Sequence, residues 1–242
     1  MVLSKFQPNL CLNKKSQRNY AVPPFLYRTV QKMSTFVIAG AVGAAAVVGL
    51  AILCNLEKNP FVKVPVNATL DYLASTKLQT FNSHPREFLA SELWDKNGAI
   101  IMVVRRAGCR LCREEALGLA ALRFRLDGVP LYAIVHEDIG INEFKVYFRG
   151  EIFLDKERRF YGPVERTMLW SGLLRLSVWK RIFQSQEEGD FQGEGRILGG
   201  LFVIGSGRQG ILLEHRESEF GDFAKRSEVL EAALKIQPKS MV

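Results

Sequence analysis

The sequence predicts an α/β protein: a central mixed sheet with helices on both faces, preceded by an N-terminal apolar helix. One observation is the stretch from Ala99 to Phe124 (AIIMVVRRAGCRLCREEALGLAALRF), which passes from a β-branched apolar run, through a turn at Gly108, into helical spacing at Leu111, Glu115, Leu119, Leu122 and Leu126. A second is VPLYAIV at 129–135, another covered strand. Together they make a β-α-β unit, whose strands should be parallel with a right-handed crossover. The third is the pair of apolar runs at 201–204 and 211–214 about GSGRQG, which reads as a hairpin.

Taken in order, residues 1–35 are basic, contain no Asp or Glu, and include Pro23-Pro24. They read as a disordered or targeting arm. Met33 to Leu56 carries no charge, and its centre, Phe36 to Cys54, is long enough at ~1.5 Å per residue to cross a ~30 Å hydrocarbon layer. A helix over 36–56 is therefore expected to make membrane contact. A removed presequence or a soluble helix is the alternative. Gly40 and Ala44 have the small-xxx-small spacing that permits close helix packing in lipid. Residues 57–67, with Pro60 and Pro65, are a linker, and 68–238 the folded domain.

Within the domain, 68–77 reads as a short helix capped by Asn67 or Thr69, with extended pieces at 78–81 and 86–89 about a His84-Pro85 turn. Ser91 caps a short helix over 92–95. Beyond the β-α-β unit, 151–154 and 159–161 flank a charged turn and read as a hairpin. Residues 164–183 form one or two helices covering the sheet, with Trp170 and Trp179 in the core. A polar loop over 184–196 follows, and SEVLEAALKI at 227–236 is a final amphipathic helix before Pro238. The order β-α-β, helix, hairpin, helix is the thioredoxin plan, with the working residues at the C-terminal end of a strand.

The chain has 242 residues and a formal charge of +8. Lys5, Lys14, Lys15, Arg18, Arg28 and Lys32 all lie in the acid-free arm, so the domain itself is near neutral and lacks the basic stripe of a nucleic-acid module. The four cysteines are Cys11, Cys54, Cys109 and Cys112. Two sit in the N-terminal region, which is not a secreted disulfide framework. No second close pair or His-x-x-x-His completes a zinc site, so neither metal nor cofactor is expected.

Cys109 and Cys112 stand where the strand hands over to a helix N-terminus. A free cysteine titrates near about 8.5, so only a few per cent is thiolate at neutral pH. Helix N–H groups and the crowd of Arg105, Arg106, Arg110 and Arg113 favour the anion, and at least one guanidinium should lie close to a sulfur. Glu114 and Glu115 oppose this. Two intervening residues allow a turn to bring both sulfurs into bonding range. The reading is a redox-active pair, Cys109 attacking and Cys112 resolving, supported by Arg106, Arg110 and Arg113. The rival reading is a signalling or interaction scaffold with an idle dithiol. His84 and His215 read as loop and solvated strand-end residues, and His136 ends a strand near the thiols. Cys54 reads as a buried neutral thiol.

The run VRRAGCRLCREEA, with ELWDKNGAIIMVV before it and VPLYAIV, GEIFLD, FYGP, GEGRILGGLFVIGSGRQGILLEHRE and FGD after it, resembles the peroxiredoxin-like 2 family over roughly 66–238. Those are redox-regulatory proteins of the AhpC/TSA branch of the thioredoxin-like fold. The resemblance implies an antioxidant or redox-regulating role centred on Cys109 and Cys112. It further implies a thiol reductant of the thioredoxin or glutathione system, protein or peroxide substrates, a monomer, and a cytoplasmic setting. Membrane association or secretion through 36–56 is the alternative. The sequence departs from peroxiredoxins proper, whose Pro-x-x-x-Thr-x-x-Cys, laid on Cys112, puts Cys109 at the Thr and Arg105 at the Pro. An efficient peroxidase is therefore not expected. Gly199-Gly200 stands where thioredoxins carry a cis-proline.

Overall fold

The computed structural model describes residues 24–56, 62–126, 128–168 and 170–237. The side chains of 24–31, 33–36, Trp170 and Leu173 lie outside that description, as do Cys11, Pro238 and the expected arm before Pro24. Two compact units divide at Val48/Gly49, and the sheet belongs to the second.

The first helix, α1, spans Pro24–Asn55. The segment 24–35, read above as part of a disordered arm, is helical. Proline at a first helical position loses no hydrogen bond there, and no further helix breaker follows before Gly40. Val37–Asn55 is long and apolar enough to cross a membrane.

The second unit is built on a seven-stranded mixed sheet. Helix α2 (Leu70–Ala74) is capped by Thr69, whose side chain accepts the Tyr72 N–H. Strands β1 (Lys77–Thr80) and β2 (Glu87–Leu89) pair antiparallel, and a 3-10 turn over Ala90–Leu93 follows. Strand β3 (Ala99–Val103), helix α3 (Arg110–Leu122) and strand β4 (Leu131–Val135) form the β-α-β unit, its strands parallel as expected. A short helix α4 (Ile141–Phe144) precedes β5 (Glu151–Leu154). Helices α5 (Trp170–Leu173) and α6 (Leu176–Gln184) lead to the antiparallel pair β6 (Gly200–Ile204) and β7 (Ile211–Arg216), and α7 (Arg226–Ala233) ends the order. The strand order is β2-β1-β5-β4-β3-β6-β7. Its centre, β4-β3-β6-β7, is the thioredoxin-like arrangement.

Strand alternation divides the core. Ile100, Met102, Leu201 and Val203 face α3 and α7, whereas Ala99, Ile101, Val103, Phe202 and Ile204 face α2, Trp94, Phe160 and Tyr161. All of β3 is buried, as its unbroken apolar run requires.

Two expectations are corrected. The hairpin read at 151–161 does not form: β5 runs parallel to β4 and antiparallel to β1, and Arg159–Tyr161 is a 3-10 turn. Phe160 and Tyr161 are apolar because they pack under the sheet, not because they extend it. Residues 164–168 are not helical, and within α6 only Val178 is buried among the described side chains. Trp179, expected in the core, is 41% exposed.

Candidate functional site

The site forms at the C-terminal ends of β3 and β4. The chain leaves β3 through Val104, turns at Ala107-Gly108 and enters α3 with Cys109 as its N-cap residue. Gly108 is required because a Cβ there would strike the Asp190 carboxylate at 2.0 Å. Cys109 and Cys112 are both free thiols, and both are buried, at 4% and 3% exposure. Their surroundings differ. A cleft of about 570 Å³ opens on Cys109, with Met168, Val178, Ile182 and Phe220 on its walls, while Cys112 lies behind it in the apolar core.

The two sulfurs are close enough to share a hydrogen bond. That bond holds Cys109 well below the usual thiol range, against the opposing effect of burial. Arg105 and the N–H groups of Cys112 and Leu111 at the start of α3 add to the lowering. Cys112 is pushed the other way by the same bond, by burial and by the Cys109 charge. The two thiols are thereby set apart in acidity, Cys109 as the more acidic and Cys112 as the less.

Only one of the four clustered arginines touches sulfur. Arg105 Nη2 donates to Cys109 Sγ at 2.5 Å and its Nη1 to the Gly195 carbonyl at 2.6 Å, while Phe220 stacks on the guanidinium at 4.3 Å. Burial pulls Arg105 down, but the neighbouring Cys109, Cys112 and Glu217 outweigh it and hold it protonated. Arg106, Arg110 and Arg113, read above as the supporting residues, instead donate to carbonyls of α6 and the loop after it. Arg106 donates to Asp190 O at 2.9 Å, Arg110 to Ile182 O at 3.1 Å, and Arg113 to Glu188 O at 2.9 Å and to the Asp190 carboxylate at 3.1 Å. The reason is position. Arg105 continues the buried strand and stays under the sheet edge, whereas Arg110 and Arg113 project from the first turn of α3 toward α6 and the loop.

Around Arg105 lie His136, Glu115 and Gly199, named from the sequence, and Tyr161 and Glu217, which were not singled out for the site. His136 Nε2 donates to the Arg105 carbonyl at 3.0 Å, and its ring meets that of Tyr161 edge-on at 5.1 Å. Tyr161 in turn donates to Val104 O at 2.7 Å. Glu217 accepts the Gly199 N–H at 2.7 Å, and burial pushes its carboxyl up to about 7, against the pull of Arg105 and that N–H. Glu115 is likewise pushed up by burial and by Glu217. Gly199 is where thioredoxins carry proline; a Cβ there would stand 2.2 Å from Val103 O. The signal for Arg105 was available: a charge directly following five covered strand residues is apt to be covered too. His215 bonds to Asp222 O at 2.6 Å and is partly enclosed, not a solvated strand end. Among the described residues no group of three or more His, Cys, Asp or Glu is placed to hold a metal ion.

Residues 119–219 match the family model of the AhpC/TSA antioxidant enzymes, a segment that begins just after the cysteine pair. The peroxiredoxin-like protein of Aquifex aeolicus is similar in structure at 13% identity and a TM-score of 0.47, over 75% of this chain and 95% of that one. Among curated proteins, peroxiredoxin-like 2A of Homo sapiens is 51% identical over 84% of this chain and 90% of its own length. That of Xenopus tropicalis is 53% identical over 81% and 88%. Identity at that level across nearly the whole domain places the chain in the family of the peroxiredoxin-like 2A proteins.

Proposed function

We propose that the protein is a thiol-based redox regulator whose working group is the Cys109 thiolate. The observation that carries this is the charge arrangement at Cys109, with Arg105 and the α3 N–H groups on the sulfur and a cleft opening beside it. With a peroxide, Cys109 sulfur attacks the distal oxygen, the O–O bond breaks, and the leaving alkoxide or hydroxide takes a proton. Cys109 is then a sulfenic acid. Cys112 attacks it, losing its proton as water leaves, and the intramolecular disulfide forms. With a substrate disulfide, Cys109 forms a mixed disulfide and releases one substrate thiolate, and Cys112 then displaces the second. In either case an external dithiol or two molecules of a monothiol restore both cysteines and are themselves oxidised. A thioredoxin- or glutathione-type reductant supplies those electrons.

The test is a count of alkylatable thiols in the full chain by mass spectrometry, before and after one equivalent of peroxide or of an oxidised model disulfide. Loss of two thiols, both at Cys109 and Cys112, is expected, and either Cys→Ser variant prevents the second loss. A pair that stays fully alkylatable after oxidant, while glutathione disulfide in the same tube oxidises a control dithiol, sinks the reading. That outcome favours the idle scaffold, which the burial of both sulfurs supports.

A further inference from the structure

Helix α6 carries apolar side chains on two sides. Val178 and Ile182 line the Cys109 cleft. On the other side Leu176, Trp179 and Phe183 follow at helical spacing of three and four, exposed by 75%, 41% and 79%, with the Trp179 and Phe183 rings stacked 5.9 Å apart. A surface helix of a water-soluble domain ordinarily puts polar residues there. Its charges are all of one sign: Arg175, Lys180 and Arg181 lie on or just before the helix, with no acid from 175 to 186. Glu219 pairs with Arg175 and Arg181, leaving net positive charge on this side and Lys180 exposed.

What adjoins this face in the chain is informative. The start of α6 is held by Asn55: its side-chain oxygen accepts the Leu176 N–H at 2.9 Å, and its Nδ2 donates to Leu174 O at 2.8 Å. Asn55 is also the last residue of α1 and of the apolar segment Val37–Asn55. Among the described residues, the one helix long and apolar enough to enter a bilayer therefore ends at the N-terminus of a cationic helix with an aromatic apolar stripe, the composition of interfacial helices.

We propose that α6 is an interfacial helix, lying on an anionic lipid surface with Leu176, Trp179 and Phe183 at the boundary of headgroups and acyl chains and Lys180 among the headgroups. The cleft on its opposite side then opens next to the membrane. This inference concerns placement and does not depend on the redox reading. The full chain is reconstituted in phosphatidylcholine–phosphatidylserine vesicles containing doxyl-labelled lipid, and tryptophan emission is recorded. The chain has three tryptophans, so Trp170 is replaced by Phe in every sample, and Trp94, buried in the domain at 1% exposure, serves as an internal reference. Lipid quenching is expected with Trp179 present and most of it is lost in Trp179→Phe. The double variant Leu176→Ser, Phe183→Ser, checked for its fold by circular dichroism, is expected to keep vesicle attachment through Val37–Asn55 but to lose the lipid quenching of Trp179. Quenching that persists in Trp179→Phe overturns the proposal. So does Trp179 emission that responds to aqueous acrylamide but not to doxyl lipid. A crosslink between two copies through α6, with no lipid quenching, assigns the face to a second copy and overturns it as well.

Discussion

At the junction of β3 and α3 charged side chains are buried, whereas along α6 large apolar side chains are exposed. Arg105 and Glu217, at 6% and 3% exposure, sit beneath the end of the sheet, while Leu176 and Phe183, at 75% and 79%, stand at the surface. Burial of a charge costs several kcal/mol unless a partner offsets it. Exposure of a lone aromatic costs far less, since much of any protein surface is apolar. The first departure from the usual partition therefore needs a local network, and Arg105, Cys109, Cys112, Glu217 and Gly199 supply one. The second needs only a neighbour that covers it.

The comparison is broken most directly at Arg105. Arg105→Met removes the guanidinium from Cys109 Sγ. Alkylation of Cys109 at neutral pH should slow by about tenfold or more, equivalent to at least about 1.4 kcal/mol, and the pH profile should move upward. Arg106→Ala and Arg110→Ala, which lose only ties to α6 and the loop, should change the rate by less than about threefold. Equal slowing in all of them would mean that general positive charge, not the contact with sulfur, tunes the thiol.

A smaller effect is expected at Glu217. Its carboxyl sits at about 7 in the folded protein, raised by burial above its ordinary value of about 4.5. Between those values the folded state holds a proton that the unfolded chain has released. Stability from this group therefore falls as pH rises from about 4.5 to about 7. Glu217→Gln should flatten that part of the curve of urea midpoint against pH. The depressed Cys109 thiol acts in the opposite direction, its ionised form favouring the folded state as pH rises toward the ordinary thiol range. A curve unchanged by Glu217→Gln would place the carboxylate outside the buried network.

Least is expected from the exposed stripe. Leu176→Ser should alter the urea midpoint by an amount equal to no more than about 0.5 kcal/mol. A large loss would show that the domain itself uses the stripe, and the contrast with the buried junction would disappear.

How far the sequence discloses this arrangement follows from which interactions are local. Strand β3, helix α3 and strand β4 are written in uninterrupted patterns of apolar residues, so the β-α-β unit and the place of Cys109 at its turn are legible. The β6–β7 hairpin is legible for the same reason. Strand β5 is legible as a strand at 151–154 but its pairing is not, because its partners β4 and β1 lie far away in the chain, and Phe160-Tyr161 offered a nearer and false partner. At the site, the crowding of Arg105 to Arg113 was visible, but not which guanidinium faced sulfur. That depends on α6 and the polar loop over 184–196, where Ile182 gives Arg110, and Glu188 and Asp190 give Arg113 and Arg106, other acceptors. Glu217 was unreadable because it follows Glu-His-Arg in a strand tail, where nothing local indicates burial.

The enclosure of Arg105 between Gly195 and Phe220 has one further effect. Mobile ions screen exposed charges beyond about 8 Å at physiological ionic strength, but they screen a buried contact between a cation and an anion far less. A sulfur tuned by exposed arginines would become more or less nucleophilic whenever cell volume or potassium changed. Arg105 and Cys109 are only 6% and 4% exposed, so under the proposed redox role the readiness of Cys109 to react should vary little with osmotic fluctuation.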